Sequence, residues 1–139
     1  MKKFSIVSMC VFSLMCLNLS CKEPTPVPRA NVNFTTPIYS NHLANPGGYE
    51  YFSGAIRGLI VYRFDLQTFY AYDRACSYDW EAGGYVSIND SIPFQLICGR
   101  CQSAYSISGG YPMGDVKAEA PLRQYNATLI DDFNLRVYN

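Results

Sequence analysis

The residues of this chain with the clearest capacity for chemistry are cysteines in two short motifs. The first is Cys76-Ser77-Tyr78, which comes shortly after the strand-like run at residues 69–73. The second is the CxxC motif Cys98-Gly99-Arg100-Cys101, which follows an apolar run at residues 94–97 and precedes a Gly-Gly turn at residues 109–110. Because each motif follows a predicted strand, the sequence predicts two cysteine-bearing loops that could meet over one site.

Other candidates for catalysis are weak. The acids Asp73, Asp79, Glu81 and Asp90 are scattered, without the spacing of a paired-carboxylate site, and we interpret them as solvated turn residues. Ser103 has no histidine near it in sequence and is expected to form a loop hydrogen bond. We therefore predict no catalytic residues and no enzymatic activity.

The elements that must position the cysteine loops are predicted to be strands. Aromatic residues make up 15% of the chain, with twelve tyrosines, and helix-forming residues are sparse, which favours an all-β domain. Short apolar or alternating runs separated by Gly, Pro and Asp predict a small β-sandwich or barrel. The predicted strands cover residues 31–34, 49–52, 58–63, 69–73, 85–88, 92–98, 127–130 and 135–138.

The amino terminus predicts export. Lys2 and Lys3 precede a mostly apolar run at residues 4–19, and the small residue Ser20 precedes Cys21, as in a cleaved secretory signal. The segment resembles a bacterial lipoprotein signal, although Asn18 stands where leucine is usual. That resemblance implies a signal peptide at residues 1–20 and a lipid anchor on Cys21.

The predicted organisation after cleavage is a tether and one domain. Three prolines in residues 21–30 favour an extended, solvated tether, and residues 31–139 would form the β domain. The expected location is the outer membrane, facing the periplasm or the cell surface, with the lipid anchor as the contact with the membrane. The 139-residue chain has 11 basic and 11 acidic side chains, so nucleic acid is not an expected partner.

The cysteine motifs resemble those of the Rieske iron–sulfur domain. Cys76-x-Tyr78 corresponds to the Cys-x-His loop of that family, and Cys98-x-x-Cys101-Gln-Ser-x-Tyr105 corresponds to its Cys-x-x-His-Gly-Ser-x-Tyr loop. The resemblance implies a Rieske-like all-β fold in which the two cysteine-bearing loops lie at one end. The four ligand positions would then be Cys76, Tyr78, Cys98 and Cys101, with both histidines replaced.

This replacement changes the chemistry that the resemblance implies. A Rieske [2Fe–2S] cluster uses two thiolates on one iron and two imidazoles on the other, whereas the chain has one histidine, His42. We therefore expect no cofactor and a binding or structural role with an unknown protein or ligand partner. The alternatives are a [2Fe–2S] cluster on an atypical ligand set that includes Tyr78, zinc bound by Cys76, Cys98, Cys101 and His42, and thiol–disulfide exchange at the CxxC motif.

The resemblance also implies a disulfide. In the family, the positions of Cys76 and Cys98 reach the same iron from opposite loops, so these two sulfurs are expected to pair in an oxidising compartment. Cys101 would then be the remaining thiol. Pairs between Cys98 and Cys101 or between Cys76 and Cys101 stay open as alternatives.

Overall fold

A computed structural model describes residues 25–40 and 42–139, and this part of the chain is almost entirely β-structure. The predicted signal peptide and Cys21 lie outside the described residues. The strands are β1 (Asn33–Pro37), β2 (Tyr49–Phe52), β3 (Leu59–Arg63), β4 (Phe69–Asp73), β5 (Val86–Ile88), β6 (Gln95–Cys98), β7 (Ala104–Ser106), β8 (Pro112–Met113), β9 (Gln124–Leu129) and β10 (Asn134–Tyr138). A short 3-10 helix covers Trp80–Ala82.

The strands form two antiparallel sheets. The larger has the order β1-β10-β9-β4-β3-β2, and the smaller has the order β5-β6-β7-β8. The described residues include no helix long and apolar enough to cross a membrane. The predicted all-β architecture is confirmed.

Strand β3 is buried on both faces. Ile60 and Tyr62 pack with Tyr72 of β4 against the small sheet, in a core that also contains Leu96, Tyr105 and the cysteines Cys76 and Cys98. The alternate residues Leu59 and Val61 pack in a second core with Ala71, Tyr125, Leu135 and Val137 of the large sheet. Burial of both faces explains why Leu59–Arg63 is a continuous apolar run before its final arginine.

Residues 25–30 belong to the packed domain. Thr25 and Val27 are buried, and the Arg123 guanidinium donates a hydrogen bond of 3.0 Å to the carbonyl of Val27. A solvated tether therefore does not describe this part of the predicted 21–30 segment. The alternate prolines exclude a sheet ladder, but they do not prevent an extended segment from packing on the domain.

Candidate metal centre

The first cysteine loop begins where β4 ends, and the buried carboxylate of Asp73 holds it in place. This carboxylate accepts hydrogen bonds from the backbone N–H groups of Ile56 at 2.8 Å, Arg57 at 3.1 Å and Ala75 at 2.9 Å. Ala75 also forms an isolated bridge with Tyr85. Asp73 thus fixes the residue directly before Cys76, and its interpretation as a solvated turn residue was wrong.

The second cysteine loop is a tight turn between β6 and β7. Cys98 is the last residue of β6, and its carbonyl accepts a 3.0 Å hydrogen bond from the N–H of Gln102. Gln102, at the position that the resemblance matches to a glycine, has a φ of 63°. This value lies in the left-handed region, which glycine adopts without steric cost. The chain continues from this turn directly into strand β7, so Cys98 does not begin a helix, as it would in a thiol-exchange motif.

The two loops bring four potential metal ligands together. One ligand atom from each of Cys76, Asp79, Cys98 and Cys101 lies within 4.8 Å of the others. The sulfurs of Cys76 and Cys101 are 3.6 Å apart, and the sulfur of Cys98 is 3.5 Å from Oδ1 of Asp79. This group can hold a metal ion, and it includes all three cysteines that the sequence singled out.

Asp79 is the potential ligand that sequence reasoning missed, because a single acid in a loop resembles any solvated acid. Its side chain is only 11% exposed, and its Oδ2 lies 3.6 Å from Nε of Arg100. The other carboxylate oxygen packs on the backbone of Gly84, where an added Cβ would lie 1.7 Å from Oδ1. In the sequence, the glycine pair Gly83-Gly84 after the predicted first loop could therefore have indicated that a side chain packs closely against the backbone there.

Two predicted ligands are placed differently. Tyr78, at the position that the resemblance matches to a histidine, is 56% exposed, whereas the carboxylate of the next residue belongs to the group of potential ligands. His42 is 85% exposed, and its Nδ1 lies 3.2 Å from Oε2 of Glu50 in β2. Phe52, Leu59 and Asp73 pair across β2, β3 and β4 at the end of the sheet where β4 leads into the first cysteine loop. Glu50 pairs with Val61 and lies two residues along β2 from that end, towards the other end of the ladder. The Cys₃His set with His42 is therefore not assembled, and Asp79 takes the fourth position.

Hydroxyl groups beneath the site form a connected network. The hydroxyl of Tyr105 is 3.2 Å from the sulfur of Cys76 and 3.0 Å from Oγ of Ser77, which donates to the carbonyl of Ala120 at 2.6 Å. Ser103 is buried, and its Oγ accepts from the N–H of Ala118 at 3.1 Å and from the thiol of Cys101 at 3.2 Å. The predicted loop hydrogen bond of Ser103 is thus present.

The three thiols have different acidities because their surroundings differ. Burial raises the pKa of Cys76 well above the ordinary thiol value, although a hydrogen bond with Tyr105 opposes the effect. Burial also raises the pKa of Cys98. Partial burial acts in the same direction on Cys101, but hydrogen bonds from Ser103 and from the other two cysteines outweigh it, so the pKa of Cys101 is lowered.

The three cysteines at the site, Cys76, Cys98 and Cys101, are free thiols in this structure. The sulfurs of Cys76 and Cys101, one of the alternative pairs, are 3.6 Å apart, which far exceeds a disulfide bond of about 2.05 Å. The pairing of Cys76 with Cys98 stays a prediction.

The fold of the domain is similar to that of Rieske-type ferredoxins. The ferredoxin of carbazole 1,9a-dioxygenase from Nocardioides aromaticivorans IC177 is 18% identical, and the match covers 79% of this chain and 98% of that one with a TM-score of 0.53. A complex of reduced oxygenase and oxidized ferredoxin in carbazole 1,9a-dioxygenase matches at 19% identity, over 77% of this chain and 93% of that one, with a TM-score of 0.54. No protein-family model and no curated protein matches the sequence.

The residues at the site do not fit the cluster of the Rieske family. Two imidazoles are required on one of the two irons, and the group assembled here consists of three cysteines and an aspartate. In a two-iron cluster, the bridging sulfides also separate the two irons, so a protein ligand of one iron lies farther from a ligand of the other iron than two ligands of a single ion lie from each other. The short separations of 3.5 and 3.6 Å between side chains of opposite loops instead resemble the edges of a single coordination sphere.

Proposed function

We propose that the protein is an exported lipoprotein whose Rieske-like domain serves as a non-enzymatic binding or structural module without the family's iron–sulfur cluster. The observation that carries this proposal is the composition of the site, which has three thiols and one carboxylate where the family has two thiols and two imidazoles. High-potential electron transfer in that family depends on the imidazole ligands. The domain keeps the scaffold and has lost the chemistry for which the scaffold is known.

The proposal that the domain is non-enzymatic is supported by the position of its similar structures in larger systems. In the carbazole dioxygenase complex, the ferredoxin is a component distinct from the oxygenase. The buried acid Asp73 is fully engaged by backbone N–H groups, which is a structural role. The partner is expected to be an unidentified protein or ligand, together with the membrane reached through Cys21.

The first test uses protein produced in cells that are supplied with iron. Its visible absorption spectrum is recorded, and its content of iron and acid-labile sulfide is measured. The proposal predicts a colourless protein without stoichiometric sulfide. A brown protein with two irons and two sulfides per chain would overturn it, and would instead support a cluster on Cys76, Cys98, Cys101 and Asp79.

Anchoring is tested separately with Cys21→Ala. Loss of the acylated cysteine should move the chain from the membrane fraction to the soluble fraction, because no other anchor is predicted. Cys16→Ala is the matched control, since that cysteine precedes the predicted cleavage point. Equal membrane partition of both variants would refute the lipid anchor.

A further inference from the structure

Two of the separations among the four potential ligands at the meeting point of the two loops match those of a tetrahedral site for one thiophilic ion. Metal–sulfur bonds of about 2.3 Å place two sulfurs of a tetrahedron about 3.8 Å apart, and a metal–oxygen bond of about 2.0 Å places sulfur and oxygen about 3.5 Å apart. The observed separations are 3.6 Å between Cys76 and Cys101 and 3.5 Å between Cys98 and Asp79. The widest separation in the group is within 4.8 Å, so closing the sphere needs a contraction of about 1 Å.

We propose that this site binds a single zinc ion through the sulfurs of Cys76, Cys98 and Cys101 and through Oδ1 of Asp79. Three thiolates select a soft or borderline ion, and one carboxylate oxygen is a ligand that zinc also accepts. Four protein ligands leave no open position for water or substrate, which makes the ion structural. The inference rests on the proposed function, in that the site holds no iron–sulfur cluster.

The surroundings of the sulfurs suit a bound metal. Backbone N–H groups of Tyr78 and Asp79 lie near the sulfur of Cys76, and those of Arg100 and Cys101 lie near the sulfur of Cys98. The N–H of Ser103 lies near the sulfur of Cys101. Such donors stabilise thiolate ligands and fix their orientation, as outer-shell partners do in metal sites.

The charge of the occupied site is also balanced in part by the protein. Zinc with three thiolates and one carboxylate carries a net charge of −2, because binding releases three thiol protons from Cys76, Cys98 and Cys101. Nε of Arg100 lies 3.6 Å from Oδ2 of Asp79, the carboxylate oxygen that does not face Cys98. Arg100 therefore both neutralises charge and orients Oδ1 towards the ion.

Zinc would reinforce the contact between two loops that otherwise meet through side chains and through one backbone hydrogen bond, from the N–H of Gly99 to the carbonyl of Tyr85. Cys76 and Asp79 belong to the loop between β4 and β5, whereas Cys98 ends β6 and Cys101 belongs to the turn between β6 and β7. In the Rieske fold the cluster connects these loops. A zinc ion would restore that cross-link without redox chemistry, and it would use all three thiols, whereas a disulfide would leave one free.

The test is zinc and cobalt binding by the purified full chain. We expect about one zinc and no stoichiometric iron or sulfide per chain, and the chelator-treated chain should rebind zinc with a rise in Tm. Cobalt should give the intense visible bands of a tetrahedral ion and a sulfur-to-cobalt charge-transfer band. A stoichiometric content of iron and sulfide would overturn both this inference and the proposed function. A reduced, folded chain that binds neither zinc nor cobalt would overturn the zinc site alone.

Variants that preserve every cysteine separate a true site from loose binding by thiols. Arg100→Ala removes an exposed side chain and should raise the Kd for zinc about 10–100-fold, and Asp79→Ala should raise it further. Gly84→Ala keeps all four ligands but places a methyl group against Oδ1 of Asp79, so the Kd of this variant for zinc should rise as well. The backbone of Gly84 lies outside the left-handed region that favours glycine, so the substitution adds no backbone strain of that kind. Glu81→Ala, at an exposed neighbouring acid, is the control and should leave the Kd unchanged. Equal affinity of Asp79→Ala and the unmodified chain would refute the Cys₃Asp assignment.

Discussion

The buried carboxylate of Asp73 gives the sharpest test of how the fold positions the first cysteine. Its two oxygens accept three backbone hydrogen bonds, two at Oδ1 from Arg57 and Ala75 and one at Oδ2 from Ile56. Asp73→Asn preserves the shape, but its amide group must face either one or two of these N–H donors. At least one hydrogen bond to a charged group is lost, and such bonds contribute roughly 1.5–3 kcal/mol each.

We therefore expect Asp73→Asn to lower the free energy of unfolding by about 2–3 kcal/mol. With a urea m-value of about 2 kcal/mol/M, the midpoint should fall by about 1 M or slightly more. The measurement is urea unfolding in the presence of excess chelator, so that metal binding does not contribute. Asp132→Asn, at an exposed acid, is the matched control and should change the midpoint little.

The same substitution should loosen the cysteine loop, because Ala75 is bonded to Asp73 and directly precedes Cys76. Alkylation of Cys76 in the native, chelator-treated chain should become faster in Asp73→Asn than in the control. If the unfolding midpoint and the Cys76 alkylation rate both match those of the control, the carboxylate does not hold the loop, and the explanation of the site's geometry fails.

Three further predictions concern the site itself. Tyr105→Phe removes the hydroxyl that contacts Cys76 and Ser77 while keeping the buried ring, and it should cost about 1 kcal/mol in unfolding free energy, measured by urea titration against Tyr111→Phe at an exposed tyrosine. In the chelator-treated, reduced chain, the alkylation rate of Cys101 should rise at a lower pH than that of Cys76 or Cys98. The reason is that a thiolate forms as the pH rises through the thiol pKa, which is lowered in Cys101 and raised in the other two. Peptide mapping of a pH series checks this order, and faster labelling of Cys76 at neutral pH would contradict it. If the pairing that the family resemblance implies is right, oxidation of the metal-free chain should join Cys76 to Cys98 and leave the label on Cys101. A label on Cys76 would assign the disulfide to the CxxC motif, and a label on Cys98 would assign it to Cys76 and Cys101, whose sulfurs are 3.6 Å apart.

The sequence predicted most of the scaffold because its strands carry strong local patterns. The bounds of β2 and β4 are as expected, and β3, β9 and β10 differ at their ends by one to three residues. The predicted strand at residues 92–98 begins only at Gln95, since Phe94 has a φ of 65°, which a strand cannot accommodate. Strands β7 and β8 were missed because they have three and two residues and no alternation long enough to read.

The site was predicted in part. The three cysteines converge as the resemblance implied, since each motif sits at a strand end on the same side of the fold. Arg100 could not be identified, and the glycines near Asp79 were the one indirect signal for that residue, because the roles of both side chains depend on the meeting of two loops that are about twenty residues apart in sequence. Arg63 ends a buried strand, as predicted, but the hydrogen bonds that its guanidinium donates to the carbonyls of Leu43, Ala44 and Leu66 were not predicted. Contacts of this kind follow from tertiary structure and leave no periodic signal.

The most direct test of the central claim is X-ray absorption at the metal edge of the purified chain. A single ion on Cys76, Cys98, Cys101 and Asp79 predicts three sulfurs at about 2.3 Å, one oxygen at about 2.0 Å and no neighbouring metal. The spectrum of Asp79→Ala should lose the protein oxygen and keep the three sulfurs. An iron edge with bridging sulfides and a second iron at short distance would contradict the claim, because it would place a two-iron cluster where the account predicts one zinc ion.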